Sequence, residues 1–184
     1  MTELYLGKVS DLFAEARNEA TPGGGAITIL GGYLGVSLIL KALRVSARKD
    51  PAAGELVEAM AQLDKLAPTL AGLADRDSAS FQAYLDAAKL PKGTPEQVDA
   101  RKKALREAAE IAALAAIDAF ELGHRLMSLT DSVKARVSPV IMADITAGLG
   151  LLQVMCTVAR ENAEANLPGI PDHDKRNALA GRLG

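Results

Sequence analysis

Apolar residues recur every three to four positions along most of the chain, and no window alternates in the two-residue rhythm of a strand. Proline and glycine set the breaks. The pattern predicts a first helix over residues 3–18 and a second from Thr21 to about Lys49. Thr21 is placed to cap the second helix, with Pro22 at its first position, where a missing N–H costs nothing. A third is predicted over residues 54–90, kinked or interrupted at Pro68, and a fourth over 95–128. A last long helix follows Pro139 and runs to Asn166. The expected fold is therefore an all-α bundle of about five long helices. Residues 1–167 make up its one domain, and 168–184 read as a polar, loosely held tail.

The second and fifth helices are apolar on nearly every face, and such a helix must be covered on every face. A five-helix bundle rarely encloses two of them. A homodimer joined through these helices is the simplest remedy, with Gly31 and Gly35 allowing another backbone to approach closely. A membrane span fits less well. The uncharged run 26–40 extends only about 22 Å as a helix, short of a ~30 Å hydrocarbon core.

Charge and cysteine content narrow the field. The net charge is −2 with scattered basic residues, so nothing marks a nucleic-acid surface. A single cysteine, Cys156, permits no internal disulfide, and the N-terminal residues form no apolar leader, so a cytoplasmic protein is expected. His124 and His173 lie far apart and no second cysteine joins them, so neither a metal site nor a bound cofactor is expected.

The run "ATPGGGAITIL" carries the most information. Gly23, Gly24 and Gly25 follow Thr21 and Pro22, but no Gly-Lys-Ser/Thr follows them and no strand precedes them. What remains is a helix start whose first turn lacks side chains. Its bare N–H groups would let a ring or an anionic group lie against it. A tight, closely packed helix-to-helix turn explains the same residues.

That run resembles the Pro-Gly-Gly-Gly signature of the formiminotransferase-cyclodeaminase / methenyltetrahydrofolate cyclohydrolase family. "DSASFQAYLDAAKLPKGT" (residues 77–94) resembles the family's Asp-x-x-Ala-Phe segment and the Lys-Leu-Pro-Lys turn after it. Asp144, in "VIMADITAG", falls on the aspartate of the family's Ile-Ser-Asp motif, and Asn162 and Asn166 fall on two asparagines further along. The sequence departs from the family at Ser138, Val140 and Ala143, close to that aspartate, and at Arg44.

The resemblance implies a tetrahydrofolate derivative as substrate and no further cofactor. A cyclohydrolase would open the methenyl bridge to 10-formyltetrahydrofolate; a cyclodeaminase would close 5-formiminotetrahydrofolate and expel ammonia. A helical dimer that kept the fold without the chemistry is a third reading. Asp144 stands in an apolar stretch, where a carboxylate makes a good base, and is the candidate catalytic residue. Thr21, Pro22, Gly23, Gly24 and Gly25, with Asn162 and Asn166, are expected to bind substrate. Arg48, Lys49, Lys89 and Lys92 are candidate clamps for the glutamate carboxylates of a folate. Asp144 and Asn162 are 18 residues apart, about 27 Å along one helix. Either they serve opposite ends of a folate, or two subunits build each site.

Overall fold

In the computed structural model, which describes residues 8–48, 50 and 52–184, no strand occurs among the described residues. Seven α-helices do: α1 (Val9–Asn18), α2 (Gly24–Ala47), α3 (Gly54–Leu66), α4 (Pro68–Lys89), α5 (Pro95–Val133), α6 (Met142–Asn166) and α7 (His173–Gly181). Lys49 lies outside the described residues, as do residues 3–7 of the expected first helix.

Local chemistry explains most of the boundaries. Pro68 divides the expected third helix into α3 and α4 at Ala67, because a proline cannot donate to the preceding turn. Thr94 starts α5 with a capping box. Its hydroxyl accepts from the Gln97 N–H and the Gln97 side chain accepts from the Thr94 N–H, both at 3.3 Å, with Pro95 in the first turn. α2 departs from the expectation: Gly23, in extended geometry, is its cap, so Thr21 and Pro22 precede the helix. No local side chain caps α2. The Asp77 carboxylate, from α4, accepts the Ala26 N–H instead.

The core is built around α2 and α6, which pack more extensively than any other pair. They run antiparallel: Gly25 at the start of α2 lies beside Asn162 late in α6, and Lys41 lies beside Asp144 near the start of α6. Their backbones touch midway. A β-carbon on Gly35 would stand 2.7 Å from the Gly148 carbonyl oxygen, and one on Gly148 would stand 2.6 Å from that of Gly35. The close approach expected of Gly35 thus occurs within one chain, while Gly31 makes only an ordinary contact with Leu151. Around this seam Ile39, Leu43, Leu63, Ile117, Leu126 and Leu152 are fully buried, each stabilising the fold by about 1.5–3 kcal/mol.

The other side of the α2–α6 pair is uncovered. Leu34 is 59% exposed and Val154 53%. Of the most apolar stretch of α2, 50% is buried, and for α6 with its flanking turns only 28%. Both are long and apolar enough to cross a membrane by length and composition. α1 has no buried residue.

The loosely held tail is corrected. Residues 168–184 pack onto the body, with Ile170, Leu179 and Leu183 buried. Arg182 bonds both Glu121 oxygens, at 2.8 and 2.7 Å, and Asp118 at 3.0 Å, while Arg160 donates to the Leu183 carbonyl. Three apolar side chains spread over a polar segment are enough to dock it.

Candidate functional site

A cleft of about 340 Å³ opens where α2 begins and α6 ends. Gly23, Gly24 and Gly25 line it from α2; Asp77, Ser80, Phe81 and Tyr84 from α4; Ala112 from α5; Val158, Asn162 and Asn166 from α6. The four α4 residues sit at i, i+3, i+4 and i+7, so one face of that helix forms a wall.

The third glycine sets the floor. A β-carbon on Gly25 would lie 2.5 Å from Asp77 Oδ1 and 2.6 Å from Asn162 Nδ2. Both side chains therefore reach over the bare helix start, which any larger residue would deny them. Gly24 differs, for a β-carbon there would meet nothing within 4 Å. Asn166 donates to the Asn162 carbonyl at 2.8 Å, which fixes its side chain along the last turn of α6.

Burial pushes the Asp77 carboxyl above its usual value, and the Ala26 N–H opposes that shift. The positive end of α2 acts in the same direction as that hydrogen bond. Asp77 is the only ionisable carboxylate, lysine, arginine or histidine lining the cleft among the described residues. Its neighbours are two amides, a buried serine and two aromatic rings. Such a site can hold a flat, partly polar, positively charged ligand.

Of the expected site residues, Gly23, Gly24, Gly25, Asn162 and Asn166 are brought together here. Thr21 and Pro22 lead into the cleft without lining it. Arg48 ends α2, a helix of 24 residues and thus about 36 Å from the glycines. Lys89 is exposed and pairs with Asp86 at 3.6 Å, and Lys92 is exposed in the turn after α4; neither lines the cleft.

Asp144 stands near the opposite end of α6, with Lys41 Nζ 2.8 Å from its Oδ2. That approach makes an ion pair, and no second donor reaches the buried Oδ2 among the described residues. Ser138 is half-buried and donates its N–H to Ser46 at 2.9 Å, Val140 is 88% exposed, and Ala143 is exposed. None of the three lines the cleft.

The residue that sequence reasoning missed is Asp77. Only its place in a family-like segment drew attention to it, since its position depends on α4 passing Gly25 at the start of α2, 52 residues earlier in the chain. No group of three or more potential metal ligands occurs among the described residues. Cys156 is buried with its thiol pushed up to about 11, which leaves it unreactive at neutral pH.

Fold and cleft together define an all-α protein with an open cleft at a bare helix start. The chain belongs to the formiminotransferase-cyclodeaminase family, whose sequence model matches residues 10–183. It is 25% identical over 162 residues to a methenyltetrahydrofolate cyclohydrolase from Methylorubrum extorquens, covering 85% of this chain and 77% of that one. It is also 26% identical over 160 residues to the formimidoyltransferase-cyclodeaminase of Gallus gallus, covering 83% of this chain but only 29% of that longer protein. The crystal structure of a formiminotetrahydrofolate cyclodeaminase from Thermotoga maritima shares the fold, with a TM-score of 0.83 at 19% identity over 98% of this chain and 88% of that one.

Proposed function

We propose that this protein is a methenyltetrahydrofolate cyclohydrolase that works as a cytoplasmic homodimer, with no metal or added cofactor. The observation that carries the reading is the cleft itself. It joins a side-chain-free helix start, one carboxylate and two asparagines in a chain that resembles a cyclohydrolase along most of its length.

In the proposed reaction, water adds to the carbon that bridges N5 and N10 of the substrate and gives up one proton to a carboxylate. The bond from N5 to that carbon then breaks, N5 takes the remaining hydroxyl proton, and the formyl group stays on N10. One proton is released overall. The bare start of α2 leaves room for the pterin ring beside Gly24, and Asn162 and Asn166 offer amides to its polar edge.

Asp144 is the proposed base, supplied to each cleft by the partner subunit. Two features support this. The Asp144 carboxylate, paired with the exposed Lys41, lies at the end of a poorly covered helix. Midway between Asp144 and Asn162, beside Gln153, Val154 and Leu34 are exposed. A two-fold axis near that point would set one copy's α6 antiparallel to the other's and bring Asp144 towards Asn162 of the partner subunit. Ser138, Val140 and Ala143 would then sit at the rim of the shared site, where small or exposed side chains leave the cleft open.

The likeness to cyclodeaminases supports a second reading, closure of 5-formiminotetrahydrofolate with loss of ammonia. One spectroscopic experiment separates the two. Purified protein is given methenyltetrahydrofolate in mildly acidic buffer, where the bridge opens slowly unaided, and its near-ultraviolet band is followed. Accelerated loss of the band is the expected result. Growth of the band from 5-formiminotetrahydrofolate instead would name the cyclodeaminase, and an unchanged rate in both would refute both.

A further inference from the structure

The cleft carries a charge signature that the proposed reaction assigns to no residue. Its one carboxylate, lysine, arginine or histidine among the described residues is Asp77, which lies at the inner end of a stripe that continues outward through two aromatic rings. Asp77, Phe81 and Tyr84 stand at i, i+4 and i+7 on α4, so they share a face. Phe81 is 40% exposed and Tyr84 44%, although nothing in the core needs them uncovered. Exposed rings beside a carboxylate are how proteins hold delocalised organic cations.

The carboxylate is also incompletely engaged. A carboxylate has about four lone-pair directions. The Ala26 N–H uses one of them, and no arginine or lysine pairs with Asp77 among the described residues. Gly25 lets the carboxylate reach this position at the floor of the cleft, since a β-carbon there would lie 2.5 Å from Oδ1. The partial burial of this unpaired anion has a desolvation cost that a ligand cation would offset.

We propose that Asp77, Phe81 and Tyr84 form a cation subsite that selects folates by the charge on their one-carbon unit. It prefers the positively charged methenyl bridge to folates that lack a positive charge between N5 and N10. The inference rests on the folate reading above. It deepens that reading by assigning the preference for a charged one-carbon unit to three named side chains. Asp77 is here a specificity residue that faces the delocalised charge, while proton transfer belongs to another group. A protonated formimino group carries the same charge, so the subsite serves either reaction of the family.

The test is equilibrium binding of two probes, methenyltetrahydrofolate and tetrahydrofolate, to the full chain and to Asp77→Asn. Every protein compared carries Asp144→Asn, which keeps the bridge intact during the measurement in mildly acidic buffer, and wild type here refers to residues 77 and 81. The wild-type protein is expected to bind the methenyl form roughly tenfold more tightly than tetrahydrofolate. Asp77→Asn is expected to lose that preference while its tetrahydrofolate affinity changes by less than about twofold, because the amide oxygen can still accept the Ala26 N–H. A Phe81→Leu variant keeps an apolar wall without the ring and should lose part of the preference. Thermal melting checks that each variant is folded. Equal binding of both probes by the wild type would overturn the subsite and leave the folate reading standing, as would a preference that survives in Asp77→Asn. Failure of the wild type to bind either probe would overturn both together.

Discussion

The two ends of α6 are the same helix in two different conditions. At its C-terminal end Asn162 and Asn166 meet Asp77 and the glycines of α2 within one chain, and the polar groups face a defined cleft. At its N-terminal end Asp144 pairs with Lys41, an exposed side chain, and the exposed Val140 and Ala143 stand nearby. Between them lies an apolar face that the described residues do not cover. One end is finished by intrachain packing and the other is not. The difference teaches that apolar patterning says how much must be covered without saying by what. It also separates binding, which one chain can organise, from proton transfer, which on this account needs a second copy.

The largest effect that would break this comparison is at Asp144. Asp144→Asn should lower turnover by at least about a hundredfold, the usual contribution of a general base, while folate affinity stays within about twofold. Parallel measurement of kcat and of Kd checks it, and a fully active variant would remove Asp144 from catalysis.

Next comes the floor of the cleft. Gly25→Ala forces its new methyl against Asp77 and Asn162, and should cost about 1–3 kcal/mol of stability along with most of the folate affinity. Gly24→Ala, one residue away and facing open space, should leave stability within about 1 kcal/mol of the parent. Denaturant melts of the pair read the contrast, and equal behaviour would mean that the glycines are only a turn.

A smaller effect is electrostatic. Burial holds the Asp77 carboxyl above its usual 3.8, so the folded state resists ionising it. Below that usual value both states carry the neutral acid and no cost arises. As pH rises past it the unfolded chain ionises first, and the folded state loses stability up to the pH at which it ionises too. Asp77→Asn should therefore melt higher than the parent at neutral pH, with the gap closing on acidification. A gap that widened in acid would contradict the assignment.

The smallest effect tests the tail. Hydrogen bonding from Arg182 holds the Glu121 carboxyl below its usual 4.5, so that contribution is present above this value and fades as pH falls through the lowered one. Both side chains are partly exposed, and Glu121→Gln should cost under about 1 kcal/mol. Turnover should be unchanged, since Glu121 lies outside the cleft.

The sequence made the helices legible because their punctuation is local. Pro68, Thr94-Pro95 and Ser138-Pro139 act through their own backbones, and each boundary falls beside them. The start of α2 was misread for the opposite reason. Thr21 has the right side chain for a cap, yet a carboxylate from α4 satisfies the Ala26 N–H, and no local pattern encodes that visit. Gly35 was legible as a point of close approach, but the helix that approaches is α6 of its own chain. The glycines and asparagines of the cleft could be read from the family-like motifs, whereas Asp77 needed α2 and α4 to be seen together. The tail misled because Ile170, Leu179 and Leu183 are too widely spaced to form a stripe.

The central claim is that each site draws on two chains, and subunit complementation tests it most directly. Asp144→Asn and Asn162→Ala proteins, each nearly inactive, are unfolded together, refolded as an equal mixture and assayed with methenyltetrahydrofolate. Random pairing makes half the dimers mixed, and each mixed dimer has one intact site, so the account predicts about a quarter of the parent's activity. Activity no greater than the average of the two variants refolded separately would contradict it, and would place the whole reaction within a single chain.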